Sequence, residues 1–417
     1  YRDGVTVHDV SNKGNMVEVC NFDTSPSFSG DGFNGCWGVY PWLPSGNIIT
    51  SDIENGLHIL GVTYNRGCYL EGTLTDASTT APIFGVLIEV VTTTITDQTS
   101  IVGDYATGYA IAGSYDVIYS HPAYISDTVY GVSLVNGQVT LQDVQLIPIA
   151  NFDLLVSVDD LANIGTVIPN ADVVIENDDF TYIGTTDANG EITFSNFYGG
   201  AYNVYIGKWG FIEICVQGVL FGPNDTIYSG SLEAGYVDLF NLDLGWQVSG
   251  AAPFGVWERG VPVGTTAAGG NLSNPDVDAV DCGSKAYVTG NGGGPAGSDD
   301  VDFADAILTS PIMDLSNGGG MPVIYLDYWW RNFAGQVSAN DSLTFILDDG
   351  INQYTVAEFY QDSEDVVWQS LTIMVGNFTS EFSSLQLIVK TADWDAEGGN
   401  LVEAGIDNFR VDYVLNV

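Results

Sequence analysis

The chain has 417 residues, of which 45% are apolar and 12% aromatic, a composition too apolar for a disordered acidic chain. Its 53 acidic residues face only 9 basic ones, and the formal charge of -44 would repel nucleic acids and anionic lipid surfaces. Composition therefore predicts a folded protein of about two to four domains and excludes nucleic-acid partners.

Cysteine spacing and apolar runs bear on the compartment in which the protein works. The five cysteines, at positions 20, 36, 68, 215 and 282, show no CxxC or other metal-binding spacing. Cys20 and Cys36 flank a loop and could form a disulfide, although the odd number leaves at least one thiol free. No apolar run approaches the roughly 20 residues of a membrane-spanning helix, so we expect no membrane insertion.

Strand signals dominate the whole sequence. Short alternating runs rich in Val, Ile, Thr and Tyr are interrupted by Asn, Asp and Gly roughly every eight to twelve residues, and helical periodicity is almost absent. This pattern predicts an all-β, multidomain chain of sandwiches or barrels.

The first predicted element, residues 1–65, contains DGVTVHDVSN (3–12) and GCWGVYPWLPSGNIITSDIENGLHIL (35–60). These motifs resemble the last blade of the LVIVD-type propellers of choice-of-anchor B proteins. A single blade needs neighbours on its faces, so the resemblance implies that a preceding part of a longer polypeptide, or another subunit, covers it. Without such a neighbour, several large side chains would be exposed: Trp37, Tyr40, Trp42 and Leu43.

An internal repeat of 87 residues predicts two tandem sandwiches, residues 66–149 and 150–235. Glu89 aligns with Glu176, and Gly103 with Gly190. The stretch TTDANGEITFSNFYGGAYNVYI (185–206) resembles carboxypeptidase regulatory-like domains, which are prealbumin-like or Ig-like β-sandwiches. The resemblance implies that these modules are spacers or stalk units and not catalysts.

The last predicted element, residues 236–417, contains five motifs whose types and order along the chain carry a family resemblance. They are FGVWERGVPVGT, KAYVTGNGGGPAGSDDVDFADAILTSPIMDLS, YWWRNFAG, NDSLTFILDDG and LVEAGIDNFRV. Together they resemble the jelly-roll domain of cleaved adhesins and choice-of-anchor J proteins. Members of that family occur in secreted peptidases and surface proteins, and some bind calcium. The resemblance therefore implies a jelly-roll sandwich that carries a structural calcium ion.

A cluster of carboxylates in this element supplies candidate calcium ligands. Asp300 and Asp302 project to the same face of an extended segment, and like charges tolerate such crowding only when water or a cation offsets their repulsion. The alternative is a solvated acidic surface, with Asp407 capping a turn and Glu403 paired with Arg331 or Arg259. The candidate metal ligands, combined through the resemblance, are Glu258, Asp300, Asp302, Asp341, Glu403 and Asp407.

The sequence offers little for catalysis. The only histidines, His8, His58 and His121, show no paired metal spacing, and no G-x-S-x-G motif is present. We therefore predict that the chain is not an enzyme. If Trp329 or Trp394 were exposed on a concave face, either could stack on a sugar, but such residues more often lie in a core.

These inferences predict a secreted, extracellular or cell-surface protein with a structural or adhesive role. It would act as an adhesin or as the repeating subunit of a surface filament, with other copies of itself, other surface proteins or glycans as partners. The alternatives are the accessory C-terminal region of a secreted peptidase and a carbohydrate-binding module.

Overall fold

A computed structural model describes residues 2–28, 32–163, 165–267, 270, 272–333, 341–363, 366–394 and 399–415. Within these residues it contains thirty-four β-strands and one short 3-10 turn, Val375–Asn377. The predicted all-β, multidomain fold class is therefore confirmed. The chain divides into two compact units, Tyr1–Ala150 and Asn151–Val417, and each is described by itself.

The first unit begins with two small antiparallel sheets, β1-β2 and β3-β4-β5. Asn12 and Asn15 attach the two-stranded sheet to the following sandwich, since the Asn12 side-chain amide donates to Glu71 Oε1 at 2.6 Å and that of Asn15 donates to the Thr107 carbonyl at 2.7 Å. Trp37, Tyr40 and Trp42 are 66%, 53% and 77% exposed. The strands are Val5–Asp9 (β1), Val17–Phe22 (β2), Cys36–Tyr40 (β3), Ile48–Asp52 (β4) and Gly56–Leu60 (β5).

The rest of the first unit is a β-sandwich with its own buried apolar core, which includes Leu70, Ile88, Val117 and Tyr119. Its strands follow the order β12-β6-β13-β11-β10-β7-β8, and β9 pairs with β6. They are Cys68–Asp76 (β6), Leu87–Val90 (β7), Thr96–Gln98 (β8), Asp104–Tyr109 (β9), Gly113–His121 (β10), Tyr124–Leu134 (β11), Val139–Leu141 (β12) and Val144–Pro148 (β13).

The second unit begins with a similar sandwich, in which a three-stranded sheet, β17-β14-β20, and a four-stranded sheet, β16-β15-β18-β19, share one core. Aromatic contacts fill this core, and the Phe197 and Tyr202 ring centroids lie 4.9 Å apart. The strands are Asn151–Asp160 (β14), Asp172–Glu176 (β15), Thr181–Thr185 (β16), Glu191–Tyr198 (β17), Gly200–Gly207 (β18), Ile214–Phe221 (β19) and Ile227–Leu232 (β20).

The 87-residue repeat has a counterpart in the hydrogen bonds of the two sandwiches. The buried Thr99 hydroxyl donates to the Ile83 carbonyl at 2.7 Å, and Thr186, 87 positions later, donates to the Ile168 carbonyl at the same distance. Gly103 and Gly190 both have positive φ, and a Cβ at either would lie 2.6 Å from a carbonyl oxygen of the adjacent strand. The repeated glycine is therefore required by close backbone approach.

The C-terminal module packs a sheet ordered β23-β26-β34-β29-β32, with β21 paired to β34, against a sheet ordered β22-β28-β33-β30-β31. Between them lies the largest apolar core, which includes Tyr328, Trp330 and Phe345. The strands are Tyr236–Asp238 (β21), Gln247–Gly250 (β22), Trp257–Gly260 (β23), Thr265–Thr266 (β24), Leu272–Asn274 (β25), Ala286–Thr289 (β26), Gly294–Pro295 (β27), Asp305–Thr309 (β28), Met321–Phe333 (β29), Ser342–Asp348 (β30), Gln353–Phe359 (β31), Gln369–Met374 (β32), Gln386–Ala392 (β33) and Leu401–Val414 (β34).

Within the second unit, the sandwich and the C-terminal module pack directly against each other. The Trp209 ring stacks on Phe409 with centroids 5.8 Å apart and meets Trp246 edge-on at 6.1 Å. The Trp209 indole N–H donates to the Ile312 carbonyl at 2.8 Å. This contact places strand β34 next to the sandwich.

Candidate metal centre and the linking segment

Three carboxylates converge beside strand β34. One oxygen from each of Asp278, Asp281 and Asp407 lies within 4.8 Å of the others. Asp407 is fully buried in β34, whereas Asp278 and Asp281 are half-buried in the loop before β26. The cluster therefore joins two segments that are far apart in the sequence.

A β-bulge sets the position of Asp407. The pairing of β29 with β34 shifts register between Tyr325 and Asp327, and Asn408 has φ of 53°, a conformation that Asn tolerates better than most residues. The backbone N–H of Asn408 donates to Asp407 Oδ1 at 2.8 Å, and that of Ala279 donates to Oδ2 at 2.9 Å. Asp407 thus holds the loop that carries the other two acids.

The electrostatics of the cluster favour a bound positive charge. Burial raises the pKa of Asp407 to about 9, and the neighbouring Asp281 and Asp278 charges add to the shift. Burial likewise raises the pKa of Asp281 to about 6, with Asp278 contributing. One oxygen each of Asp278 and Asp281 is buried without a hydrogen-bond partner among the described residues. Protons or a hard cation with oxygen ligands can neutralise such a site.

The other predicted ligands lie elsewhere. Glu403 is fully buried, its Oε2 accepts the Thr289 hydroxyl at 2.8 Å, and its Oε1 has no partner among the described residues. Burial, reinforced by Asp300 and Asp299, raises the pKa of Glu403 well above its ordinary value. Burial and the Asp302 charge raise the pKa of Asp300 to about 7. These acids form a region distinct from the three-carboxylate cluster.

Asp341 and Glu258 also lie outside the three-carboxylate cluster. Asp341 is buried and accepts the Asn400 side-chain amide at 2.8 Å, while Glu258 is exposed on β23. The structure therefore does not gather the six predicted ligands into one shell. Sequence reasoning missed Asp278 and Asp281, although the run DVDAVD (276–281) was the available signal.

The alternative partners expected for Glu403 are engaged elsewhere. The Arg331 guanidinium forms an ion pair with Asp362, with Nε and Oδ1 2.8 Å apart. Arg259 donates to the Phe240 carbonyl at 3.0 Å.

The disulfide corrects the sequence-based expectation. It joins Cys215 in β19 to Cys282, with Cα atoms 6.1 Å apart. Cys20 is an exposed free thiol, and Cys36 is a buried one whose Sγ lies 2.9 Å from Thr50 Oγ1. The pair considered from sequence does not form, because one thiol is exposed on β2 and the other is buried on β3.

Residues 276–285, called here the linking segment, attach the C-terminal module to the preceding sandwich. Cys282 bonds to Cys215, and the Lys285 ammonium lies 3.1 Å from Glu176 of β15. Asp278 and Asp281 of the same segment approach Asp407 within the C-terminal module. A covalent and an ionic contact between the modules therefore lie beside the carboxylate cluster in one short loop.

The two candidate sugar-stacking residues differ in exposure. Trp329 is 3% exposed, and its indole N–H donates to the Ser273 carbonyl at 2.8 Å. Trp329 therefore lies in the core, the more common position for such a residue, because the segment carrying β24 and β25 covers this face of the sheet. Trp394 is 46% exposed and remains available to a ligand.

Comparisons with known proteins find only distant similarity. No family model matches the chain, and no curated protein matches it. A streptococcal ancillary pilin is 12% identical with a TM-score of 0.32, covering 46% of this chain and 76% of that one. The minor pilin GBS52 of Streptococcus agalactiae is 13% identical with a TM-score of 0.28, covering 40% and 96%.

A carbohydrate-binding module of the β-sandwich superfamily is 12% identical with a TM-score of 0.26, covering 64% of this chain and 93% of that one. The family resemblances of the sequence stay predictions. Among the described residues, no helix is long and apolar enough to cross a membrane.

Proposed function

We propose that this chain is a non-enzymatic, extracellular protein with a structural or adhesive role at the cell surface, stabilised by calcium. It would act as a filament subunit or an adhesin. The linking segment is the observation that carries the proposal, because it joins two modules by a disulfide and an ion pair next to a carboxylate cluster. Such reinforcement suits a protein that bears load between modules.

The disulfide supports the extracellular part of the proposal. Disulfides persist in oxidising compartments and are rare in the cytosol of most organisms. Cys215 and Cys282 close a loop with a sequence separation of 67, so this bond constrains a large part of the second unit.

The donor set of the cluster fits calcium. Asp278, Asp281 and Asp407 offer only carboxylate oxygens, which calcium prefers, whereas structural zinc favours nitrogen and sulfur. Extracellular modules bind calcium with Kd of roughly 10⁻⁴ to 10⁻³ M, so a weak site of this kind suits an exported protein. When bound, calcium would neutralise the three acids and fix the linking segment to β34.

The N-terminal sheets supply a surface suited to assembly. Trp37, Tyr40 and Trp42 are exposed there, and exposed apolar patches mark interaction sites in soluble proteins. We propose that another copy of the chain, or another surface protein, covers them. The formal charge of -44 for the whole chain argues against nucleic acid as that partner.

The calcium proposal is tested by thermal unfolding of the full chain. Binding at a hundred times Kd stabilises the native state by about 2.7 kcal/mol, which raises the Tm by roughly 5–10 °C for a unit of this size. Calorimetry in calcium and in excess chelator measures this difference. Asp281→Asn should abolish most of the response, whereas Glu258→Gln, at an exposed acid, should retain it. An unchanged transition in chelator would exclude the structural calcium ion.

A further inference from the structure

A polar cleft of about 440 Å³ lies on the β30-β31-β33 region of the five-stranded sheet in the C-terminal module. Small-molecule sites commonly occupy about 300–1,000 Å³. The cleft is separate from the three-carboxylate cluster, and its lining has a different chemistry. It includes Ser342, Thr344, Glu358, Tyr360, Lys390 and Trp394.

Strand register places complementary polar groups across the cleft. Thr344 pairs with Glu358 on one side and with Lys390 on the other. The Ser342 and Thr344 hydroxyl oxygens lie 3.1 Å apart, and the Thr344 hydroxyl donates to Glu358 Oε1 at 3.4 Å. The Lys390 ammonium lies 3.1 Å from Asp305. Hydroxyl groups, a carboxylate and an ammonium group therefore lie side by side on neighbouring strands at the floor of the cleft.

Two aromatic side chains add apolar surface to the lining of the cleft. Trp394 is 46% exposed and Tyr360 is 43% exposed. The Lys390 ammonium lies 5.5 Å from the centroid of the Trp394 ring, a distance typical of a cation–π contact. A hydrogen bond with Glu358 raises the pKa of the Tyr360 hydroxyl.

We propose that this cleft binds a neutral hexopyranose unit of a glycan, with Trp394 as the stacking surface. A pyranose has an apolar C–H face that packs on an aromatic ring and equatorial hydroxyls that need both donors and acceptors. Glu358 and the Ser342 and Thr344 hydroxyls accept from such groups, and Lys390 donates to them. The inference rests on the proposed extracellular role, and it names neutral glycans as the ligands of the proposed adhesin.

Charge and geometry disfavour other ligand classes. The formal charge of -44 repels nucleotides and sulfated or uronate-rich glycans. A peptide that extends the sheet would pair with the backbone of the edge strand β31, whereas the cleft is lined by side chains on the sheet face. A neutral, hydroxyl-rich ligand is the class that fits both observations.

A glycan array probed with the full chain, followed by calorimetric titration of the best neutral oligosaccharide, tests the inference. We expect saturable binding, and Trp394→Ala should weaken it by roughly tenfold or more because the stacking surface is lost. Trp42→Ala, at an exposed tryptophan of the other unit, is the matched control and should leave affinity unchanged. Glu358→Gln should weaken binding by roughly threefold or more through a lost charge-assisted hydrogen bond.

The same titration in excess chelator separates this inference from the calcium proposal. Affinity should persist there, because the lining of the cleft includes none of the three clustered carboxylates. If Trp394→Ala lowers the Tm, Tyr360→Ala replaces it and should also reduce affinity. The inference is overturned if no neutral glycan binds saturably, if anionic glycans are preferred, or if affinity survives both aromatic substitutions. None of these outcomes alters the Tm response to calcium.

Discussion

Glu213, in the loop between β18 and β19, is 6% exposed. Its Oε2 accepts the Leu239 backbone N–H at 3.1 Å and its Oε1 accepts the Asn241 side-chain amide at 3.2 Å. Burial, together with the Asp238 charge, nevertheless raises the pKa of Glu213 to about 8. The desolvation of the carboxylate therefore outweighs its two hydrogen bonds.

This raised pKa predicts a pH-dependent stability. The folded state binds the Glu213 proton more tightly than the unfolded state, in which the pKa is about 4.3. The resulting stabilisation is fully present below pH of about 4 and is lost as pH rises through about 8. In chelator, the Tm should therefore fall between pH 5 and pH 8, roughly the interval between these two pKa values.

Glu213→Gln provides the comparison, because the amide does not ionise. Calorimetry across this pH range should show a flatter profile for Glu213→Gln than for the unsubstituted chain. Glu191→Gln, at an exposed acid of the same sandwich, should retain the original slope. Equal slopes for Glu213→Gln and the unsubstituted chain would show that another group controls the pH dependence.

The carboxylate cluster depends on contacts between residues that are far apart in the sequence. Asp407 was a candidate ligand through the family resemblance of the motif LVEAGIDNFRV. Its contact with the Ala279 backbone spans 128 positions, and no local pattern encodes such a pairing. Asp278 and Asp281 were therefore missed. The burial of Trp329 also could not be decided from local sequence, because the segment that covers it is distant in sequence, as its bond to Ser273 shows.

Loss of the disulfide in the linking segment should lower the free energy of unfolding of the second unit. Removing a disulfide that closes a loop of this size typically costs about 2–4 kcal/mol, since the unfolded chain regains entropy. Chemical denaturation of Cys215→Ser/Cys282→Ser should show this loss in the transition of the second unit. Its calcium response should also weaken, because Cys282 directly follows Asp281.

Cys20→Ser is the matched control for this substitution, because Cys20 is an exposed free thiol in the first unit. It should leave the denaturation midpoint unchanged. A reductant should reproduce the effect of the double substitution on the unsubstituted chain. Full stability after reduction would mean that the packing of Trp209 against β34 is sufficient to hold the two modules.

The strands and the repeated glycines could be predicted from local sequence, whereas the carboxylate cluster could not. Period-two alternation indicated the strands, and the 87-residue repeat anticipated the equivalent roles of Gly103 and Gly190. The bulge at Asn408 could not be anticipated, because a register shift depends on which strand lies opposite. The sequence therefore predicted which segments are extended but not how β29 and β34 align.

Amino-acid composition was the strongest predictor of the fold class of the chain. Abundant Gly and β-branched residues and the near absence of helical periodicity predicted an all-β chain, which the described residues confirm. The charge of -44 predicted acidic surfaces and excluded nucleic acid. Neither quantity identifies the partner that the chain does bind, because that depends on which apolar side chains the fold leaves exposed.

Charge and exposed aromatics together predict how copies of the chain associate. At -44 the copies repel one another over a Debye length of about 30 Å at 0.01 M salt but only about 3 Å at 1 M. Apolar contact through Trp37 and Trp42 is short-ranged and persists when charge is screened. Analytical ultracentrifugation should therefore show monomers at low salt and larger species at high salt or in millimolar calcium.

Substitution of these aromatics separates apolar contact from general salting out. Trp37→Ser/Trp42→Ser should remain monomeric at the salt concentration at which the unsubstituted chain associates, because the exposed apolar surface is reduced. Trp394→Ser, at an exposed tryptophan in the C-terminal module, should associate normally. Equal association of all three proteins would place the contact elsewhere, whereas electron micrographs of the associated species would distinguish a filament from a closed oligomer.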